Sequence, residues 1–196
     1  MFEFSRRDIL IAFGSAGTVS VAMAQQVHRA VESVRQTDGY VPQFFTTEEF
    51  ETIRVLVNLV LPADESSKGA SDAGVPEFID YICSVSENQG GIYRDGLRWI
   101  DTEMERRTGG KFRVAAMEQQ LELLDVIAYR RNSNFLTEAG VGFFSYLRGM
   151  VVDAYYSSPV GMADLGYLGN QVLDSFTVPE EAVKYALRRS PFGEGM

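Results

Sequence analysis

The stretch Thr46-Thr47-Glu48-Glu49-Phe50-Glu51-Thr52-Ile53-Arg54-Val55-Leu56-Val57-Asn58-Leu59-Val60-Leu61-Pro62 decides the fold class. Its first four residues read as a capping box. The Thr46 hydroxyl can accept from the free backbone amides of a helix start, while the Glu49 carboxylate reaches back to Thr46. Phe50, Ile53, Val57 and Val60 then recur at helical spacing. Between Val55 and Leu61 only Asn58 interrupts an apolar run. A helix that is apolar on most faces belongs near the centre of a molecule. Pro62 lacks the amide and the room to continue it, so the helix stops there.

The same period carries outward from this helix. Residues 63–74 form a polar loop, and Pro76 stands where a helix favours its first residues. Phe78 or Ile79, Ile82 and Val85 mark the buried face of that helix, and Gly90-Gly91 is expected to end it. Tyr93, Leu97, Ile100 and Met104 mark the next, stopped by Gly109-Gly110. Val114, Met117, Leu121, Leu124 and Ala128 mark a further helix. Leu136, Phe143, Leu147, Val151 and Ala154 mark another, ending before Pro159. Pro179 opens a last short helix to about Arg189. No alternating strand of useful length and no fixed repeat stands out. The expectation is an all-α, irregular bundle of about six to seven helices. A long Tyr/Gly-rich loop, Tyr155 to Asn170, lies near its C-terminus. Residues 46–196 read as one helical domain, preceded by a polar arm over 25–45 in which His28 is expected to be exposed.

Composition bounds the chemistry. The chain has 196 residues, 45% of them hydrophobic, which suffices for a core and argues against disorder. Its net charge of −9, with no strong basic patch, argues against nucleic-acid binding. A single cysteine, Cys83, excludes an internal disulfide, and with a single histidine, His28, it cannot complete a four-ligand zinc site. A ferritin-like di-iron centre needs two Glu-x-x-His motifs, which one histidine cannot supply. No G-x-G-x-x-G unit, P-loop or G-x-S-x-G elbow is present. Asp80, Asp95, Asp101 and Asp125 fall on amphipathic helices, where they read as solvated faces or cap partners. No catalytic, cofactor-binding or metal-binding residue is assigned.

Two features point outside the chain. Cys83 sits near an apolar helix face and reads either as a small buried hydrophobe or as a thiol for an intersubunit disulfide. Tyr155, Tyr156, Pro159, Tyr167 and Gly169 lie in the Tyr/Gly-rich stretch, which suits either partner contact or internal packing. Gly140, Gly142 and Gly149 interrupt an otherwise apolar helix, where each costs about 1 kcal/mol against alanine unless close packing requires it.

The N-terminus reads as an address. Ser5-Arg6-Arg7-Asp8-Ile9-Leu10 closely resembles the twin-arginine consensus, a paired arginine followed by an apolar pair. A mildly apolar stretch follows from Ile11 and ends in Ala22-Met23-Ala24 before Gln25, a small-x-small cleavage pattern. It is too short and too polar for a comfortable membrane span, which needs roughly 20 apolar residues. Residues 1–24 are therefore expected to be a twin-arginine signal segment, cut between Ala24 and Gln25 or retained as an anchor.

A series of short matches then gives the family. Ile53, Arg54, Leu61 and Pro62, the run Gly69 to Val75 leading to Phe78-Ile79-Asp80, and Tyr93-Arg94-Asp95-Gly96-Leu97 come in order. Phe143 to Arg148, Tyr155 to Pro159 and Leu165 to Gly169 complete the series. With the Arg6-Arg7 signal, the chain resembles the gluconate 2-dehydrogenase subunit 3 family over nearly its whole length. The resemblance implies a non-catalytic accessory subunit of a complex that oxidises gluconate, glucose or a glucoside. Its large partner would be a flavoprotein of the glucose-methanol-choline type that holds FAD and lacks its own signal. A cytochrome c subunit carrying haem often accompanies such pairs. The small subunit would engage the twin-arginine translocon, take its partner to the periplasm and help it fold, the complex lying at the inner membrane. The alternative is a free-standing exported binding protein that uses the tyrosine-rich loop.

Overall fold

The computed structural model describes residues 24–29, 31–32, 40–166 and 178–189. Residues 24–29 and 31–32 are helical. Seven labelled helices follow: α1 Thr47–Val60, α2 Val75–Val85, α3 Glu87–Thr108, α4 Met117–Ile127, α5 Glu138–Ser157, α6 Pro159–Asp164 and α7 Glu180–Arg189. Short 3-10 turns, Phe112–Val114 and Arg130–Asn132, flank α4. Among the described residues there is no strand, and the architecture is all-α.

The capping box at the start of α1 is present in full. Thr46 Oγ1 accepts from the Glu49 amide at 3.3 Å, and Glu49 Oε2 accepts from the Thr46 amide at 2.9 Å. Ile53, Leu56 and Val57 are wholly buried. Pro76 occupies the first turn of α2, behind Gly74, whose φ of 79° belongs to the left-handed region that glycine tolerates. Gly109, φ 80°, ends α3 in the same conformation, its amide donating to the Glu105 carbonyl at 2.9 Å. Helices α1, α2, α3 and α5 pack against one another around the core, and α4 rests on α5. Tyr93, Ile100 and Met104 of α3 meet Leu147, Val151 and Ala154 of α5 in that core.

Four readings change. Val85, expected on the buried face of α2, is exposed. Gly90-Gly91 does not end α2: Val85 does, and Ser86 accepts from the Gln89 amide to open α3, which runs through both glycines. Gly90 lies under the Phe44 ring, where a Cβ would overlap it. On α4 the buried residues are Gln120, Leu123, Leu124 and Ile127, whereas Met117 and Leu121 face solvent, as does Val114 just before the helix. Leu136 precedes α5 and is exposed. The glycine question on α5 resolves at Gly140, whose missing Cβ makes room for the Trp99 ring, while Gly142 faces open space.

The Tyr/Gly-rich loop is also largely helical where it is described. Tyr155, Tyr156 and Ser157 complete α5, and Pro159 begins α6 after a cap from Ser158 Oγ to the Gly161 amide at 3.1 Å. Serine followed by proline at the next position is itself a helix-start signature, which the density of Tyr and Gly obscures.

Candidate functional site

The segment ahead of α1 is tied to α2 at one joint. Asp80, on the inner face of α2, is wholly buried. Its Oδ2 accepts from the Tyr40 hydroxyl at 2.6 Å and from the Gln43 amide at 2.7 Å. Its Oδ1 accepts from the Phe44 and Phe45 amides at 3.1 and 3.0 Å. One carboxylate thus satisfies three consecutive backbone donors and sets the chain path into the Thr46 cap. Burial, helped by the hydrogen bond to Asp80, pushes the Tyr40 phenol well above its usual range, so Tyr40 remains a donor. Phe45 is buried among core side chains, and the Arg94 guanidinium lies 4.1 Å over the Phe44 ring.

The helical residues ahead of this joint are docked too. Ala24, Val27, His28 and Val31 are buried, and Gln25, Gln26, Arg29 and Glu32 are exposed. The His28 ring packs 4.8 Å from Phe78 of α2, with Nε2 3.0 Å from the Ser157 hydroxyl at the end of α5. Burial pushes the imidazole below its ordinary value, opposed by the Ala154 carbonyl and Glu32. The expectation of an exposed His28 on a solvated arm is therefore corrected: His28 is 8% exposed and is the third member of the buried stripe Ala24, Val27, His28, Val31. Beside it opens a cleft of about 420 Å³ that includes Gln25, Arg29, Glu32 and Met162.

Of the targeting residues, Ser5, Arg6, Arg7, Ile9, Leu10 and Ala22 lie outside the described residues, as do Tyr167 and Gly169. Cys83 is buried and free, and burial beside the Asp80 charge pushes its thiol up to about 12. At 2% exposed, Cys83 packs as a small buried hydrophobe and is covered from a partner's thiol in this fold. Tyr155 is likewise turned inward. It is wholly buried, and its hydroxyl donates to the Lys68 carbonyl at 2.7 Å, which removes it from the partner-contact set. Tyr156 is half-buried and Pro159 is exposed.

The exposed apolar side chains lie elsewhere. Phe135 is 97% exposed on a loop that Asn134 holds: Asn134 Oδ1 accepts from the Leu136 amide at 2.9 Å, and Thr137 Oγ1 accepts from the Asn134 amide at 3.0 Å. A mixed-charge cleft of about 380 Å³ lies between the start of α1 and α3, with Glu48, Arg94, Asp101, Glu105, Lys111 and Arg113 among its walls. Among the described residues no group of three or more His, Cys, Asp or Glu could hold a metal ion. No described helix is long and apolar enough to cross a membrane.

The comparison with protein families covers the stretch that holds α1 to α6. The family model described as Gluconate 2-dehydrogenase subunit 3 matches residues 47–174. The chain belongs to the gluconate 2-dehydrogenase subunit 3 family. Membership makes it an accessory-type subunit of a dehydrogenase complex and implies partner subunits. No curated protein and no solved structure matches it. The subunit 3 match opens on the first residue of α1 and includes Asp80, Cys83 and Tyr155. It leaves out Tyr40 to Phe45, which Asp80 anchors, the docked residues 24–29 and 31–32, and α7. Sequence reasoning missed the Asp80 joint and the His28 dock. The only local signals were a buried-face carboxylate on α2 and the spacing of Ala24, Val27, His28 and Val31.

Proposed function

We propose that the chain is the non-catalytic small subunit of a flavin-dependent sugar dehydrogenase complex. Its Arg6-Arg7 segment takes it, with a large FAD-bearing subunit of the glucose-methanol-choline type, through the twin-arginine translocon to the periplasm. There it supports the fold and stability of that partner, which oxidises gluconate, glucose or a glucoside and passes electrons on, in some complexes to a cytochrome c. The family match over residues 47–174 carries this reading. The twin-arginine-like Ser5 to Leu10 supports the export part of it. The competing free-standing binding protein loses ground because the tyrosine-rich stretch, its ligand site, is helical through Asp164, with Tyr155 buried.

The test is to produce this chain and its large partner together and assay dehydrogenase activity in the periplasm. Arg6→Lys with Arg7→Lys keeps the charge and removes the planar guanidinium forks. Periplasmic activity should disappear while active complex accumulates in the cytoplasm. Undiminished periplasmic activity would overturn the escort role. Purified alone, the chain should carry no flavin, and stoichiometric FAD on it would overturn the non-catalytic assignment.

A further inference from the structure

The bond that the sequence marks for cleavage joins Ala24 to Gln25, and both residues are helical. Ala24 is the first member of the stripe Ala24, Val27, His28, Val31, with successive steps of three, one and three residues. Those steps place all four on one face of a helix. That face is buried, and Ala24 itself is 5% exposed within the core cluster. Among the contacts that hold the stripe down are the His28 ring on Phe78 of α2, His28 Nε2 on the Ser157 hydroxyl of α5, and the bond of His28 to the Ala154 carbonyl.

A processing protease reads its substrate as an extended strand. Its binding cleft must reach the side chain before the scissile bond and the backbone on both sides of it. From Ala24 through Arg29 the backbone is wound into a helix, and the Ala24 methyl group is packed inward. Cleavage requires the stripe to lift off and unwind first, so its rate follows the population of that opened form. A protein exported already folded meets the protease in the docked form.

We propose that the docked helix shields the Ala24–Gln25 bond, so that the exported chain keeps its N-terminal segment. This rests on the export reading for the presence of a signal, but the shielding itself is a property of the folded chain. The escort would remain a signal-bearing subunit.

The purified full chain, in mild detergent, is incubated with signal peptidase, and its N-terminus is sequenced over time. The Ala24–Gln25 bond should stay intact in the native chain. Val31→Asp, seven residues from the bond and outside the residues a peptidase reads, places a charge in the buried stripe. It should be cut at that bond at least about tenfold faster, in proportion to the opened population. Ser157→Ala removes one of the two His28 bonds to α5, leaving the one to the Ala154 carbonyl, and should give a smaller acceleration, which keeps the test meaningful if Val31→Asp disturbs the whole fold. Rapid cutting of the native chain to leave Gln25 would overturn the proposal. So would resistance in all three proteins, because there would then be no site to shield. Both readouts are independent of the translocon, so a failure of export in the cell bears on the proposed function and not on the shielding.

Discussion

The joint at Asp80 and the middle of the core at Tyr93 bury polar groups to opposite effect. Asp80 is covered completely, and its two oxygens collect four hydrogen bonds from Tyr40, Gln43, Phe44 and Phe45. Tyr93 is covered completely, and its hydroxyl has no hydrogen-bond partner among the described residues. The first arrangement ties a segment to a domain from a distance of about forty residues in sequence, as with Tyr40 and Asp80. The second holds by shape: the Tyr93 ring meets Phe45, Phe143 and Tyr146 edge-on, with centroids 6.0, 5.8 and 5.9 Å away. Buried polarity is thus used for connection at the edge of the core and tolerated at its centre.

The contrast predicts the largest loss at the joint. Asp80→Ala orphans three backbone amides and a phenol at once, at a cost of about 3 kcal/mol or more. Urea unfolding should show it, with residues 40–45 losing protection in hydrogen exchange. Asp101→Ala is the control, since Asp101 caps a single amide, Phe112, at 3.1 Å. It should cost about 1 kcal/mol. Equal losses at the two positions would break the claim that Asp80 is a multiple anchor.

Tyr155→Phe should fall near the control. The Lys68 carbonyl that Tyr155 bonds at 2.7 Å sits in an exposed loop residue, so water can replace the lost donor. A loss of about 1 kcal/mol in thermal or urea unfolding is expected. A change of several kcal/mol would mean that the bond closes the 63–74 loop against the core.

His28 gives a smaller, pH-dependent effect. Its folded-state pKa is pushed below the ordinary 6.5, first by burial. The unfolded or undocked chain then binds more protons, so docking strengthens as pH rises. The contribution is complete above about 6.5 and is lost as pH falls below that toward the folded value. Hydrogen exchange of residues 24–32 should be faster at about pH 5.5 than at about pH 7.5, relative to α3. An unchanged ratio would show that the imidazole titrates freely in both states.

Legibility in the sequence follows the range of the interactions. The Thr46–Glu49 box, the stop at Pro62, the start at Pro76 and the end at Gly109 were readable because each works within one helical turn. Gly90-Gly91 misled because its glycines answer to Phe44, a neighbour only in space. At α4, Val114 just before the helix and Met117 and Leu121 on it repeat as regularly as Leu124 and Ile127. What decides between the faces is Gln120, buried because its Nε2 donates to the Phe112 carbonyl at 2.8 Å. A count of apolar residues cannot see a polar side chain that packs inward. The site fared similarly. The His28 dock and the Asp80 joint depend on Ser157 and on residues 40–45, far away along the chain.

The smallest expected effect is also the one that tests the comparison most directly. Tyr93→Phe removes one oxygen and keeps the ring, so the packing against Phe45, Phe143 and Tyr146 survives. The hydroxyl it removes is buried without a hydrogen bond, and burial pushes that phenol well above its usual range, so no charge is lost with it. An unbonded buried hydroxyl costs about 1–3 kcal/mol of desolvation that phenylalanine does not incur. The variant should be as stable as the native chain or more stable by up to about 1 kcal/mol, the gain limited by the small space left behind. Tyr146 supplies a second unpartnered buried hydroxyl in ring contact with the first, and Tyr146→Phe should behave the same way. If either change destabilised the fold by more than about 1 kcal/mol, a buried water joining the two hydroxyls would be indicated. The centre of the core would then be held by a bonded polar network, and its difference from the Asp80 joint would vanish.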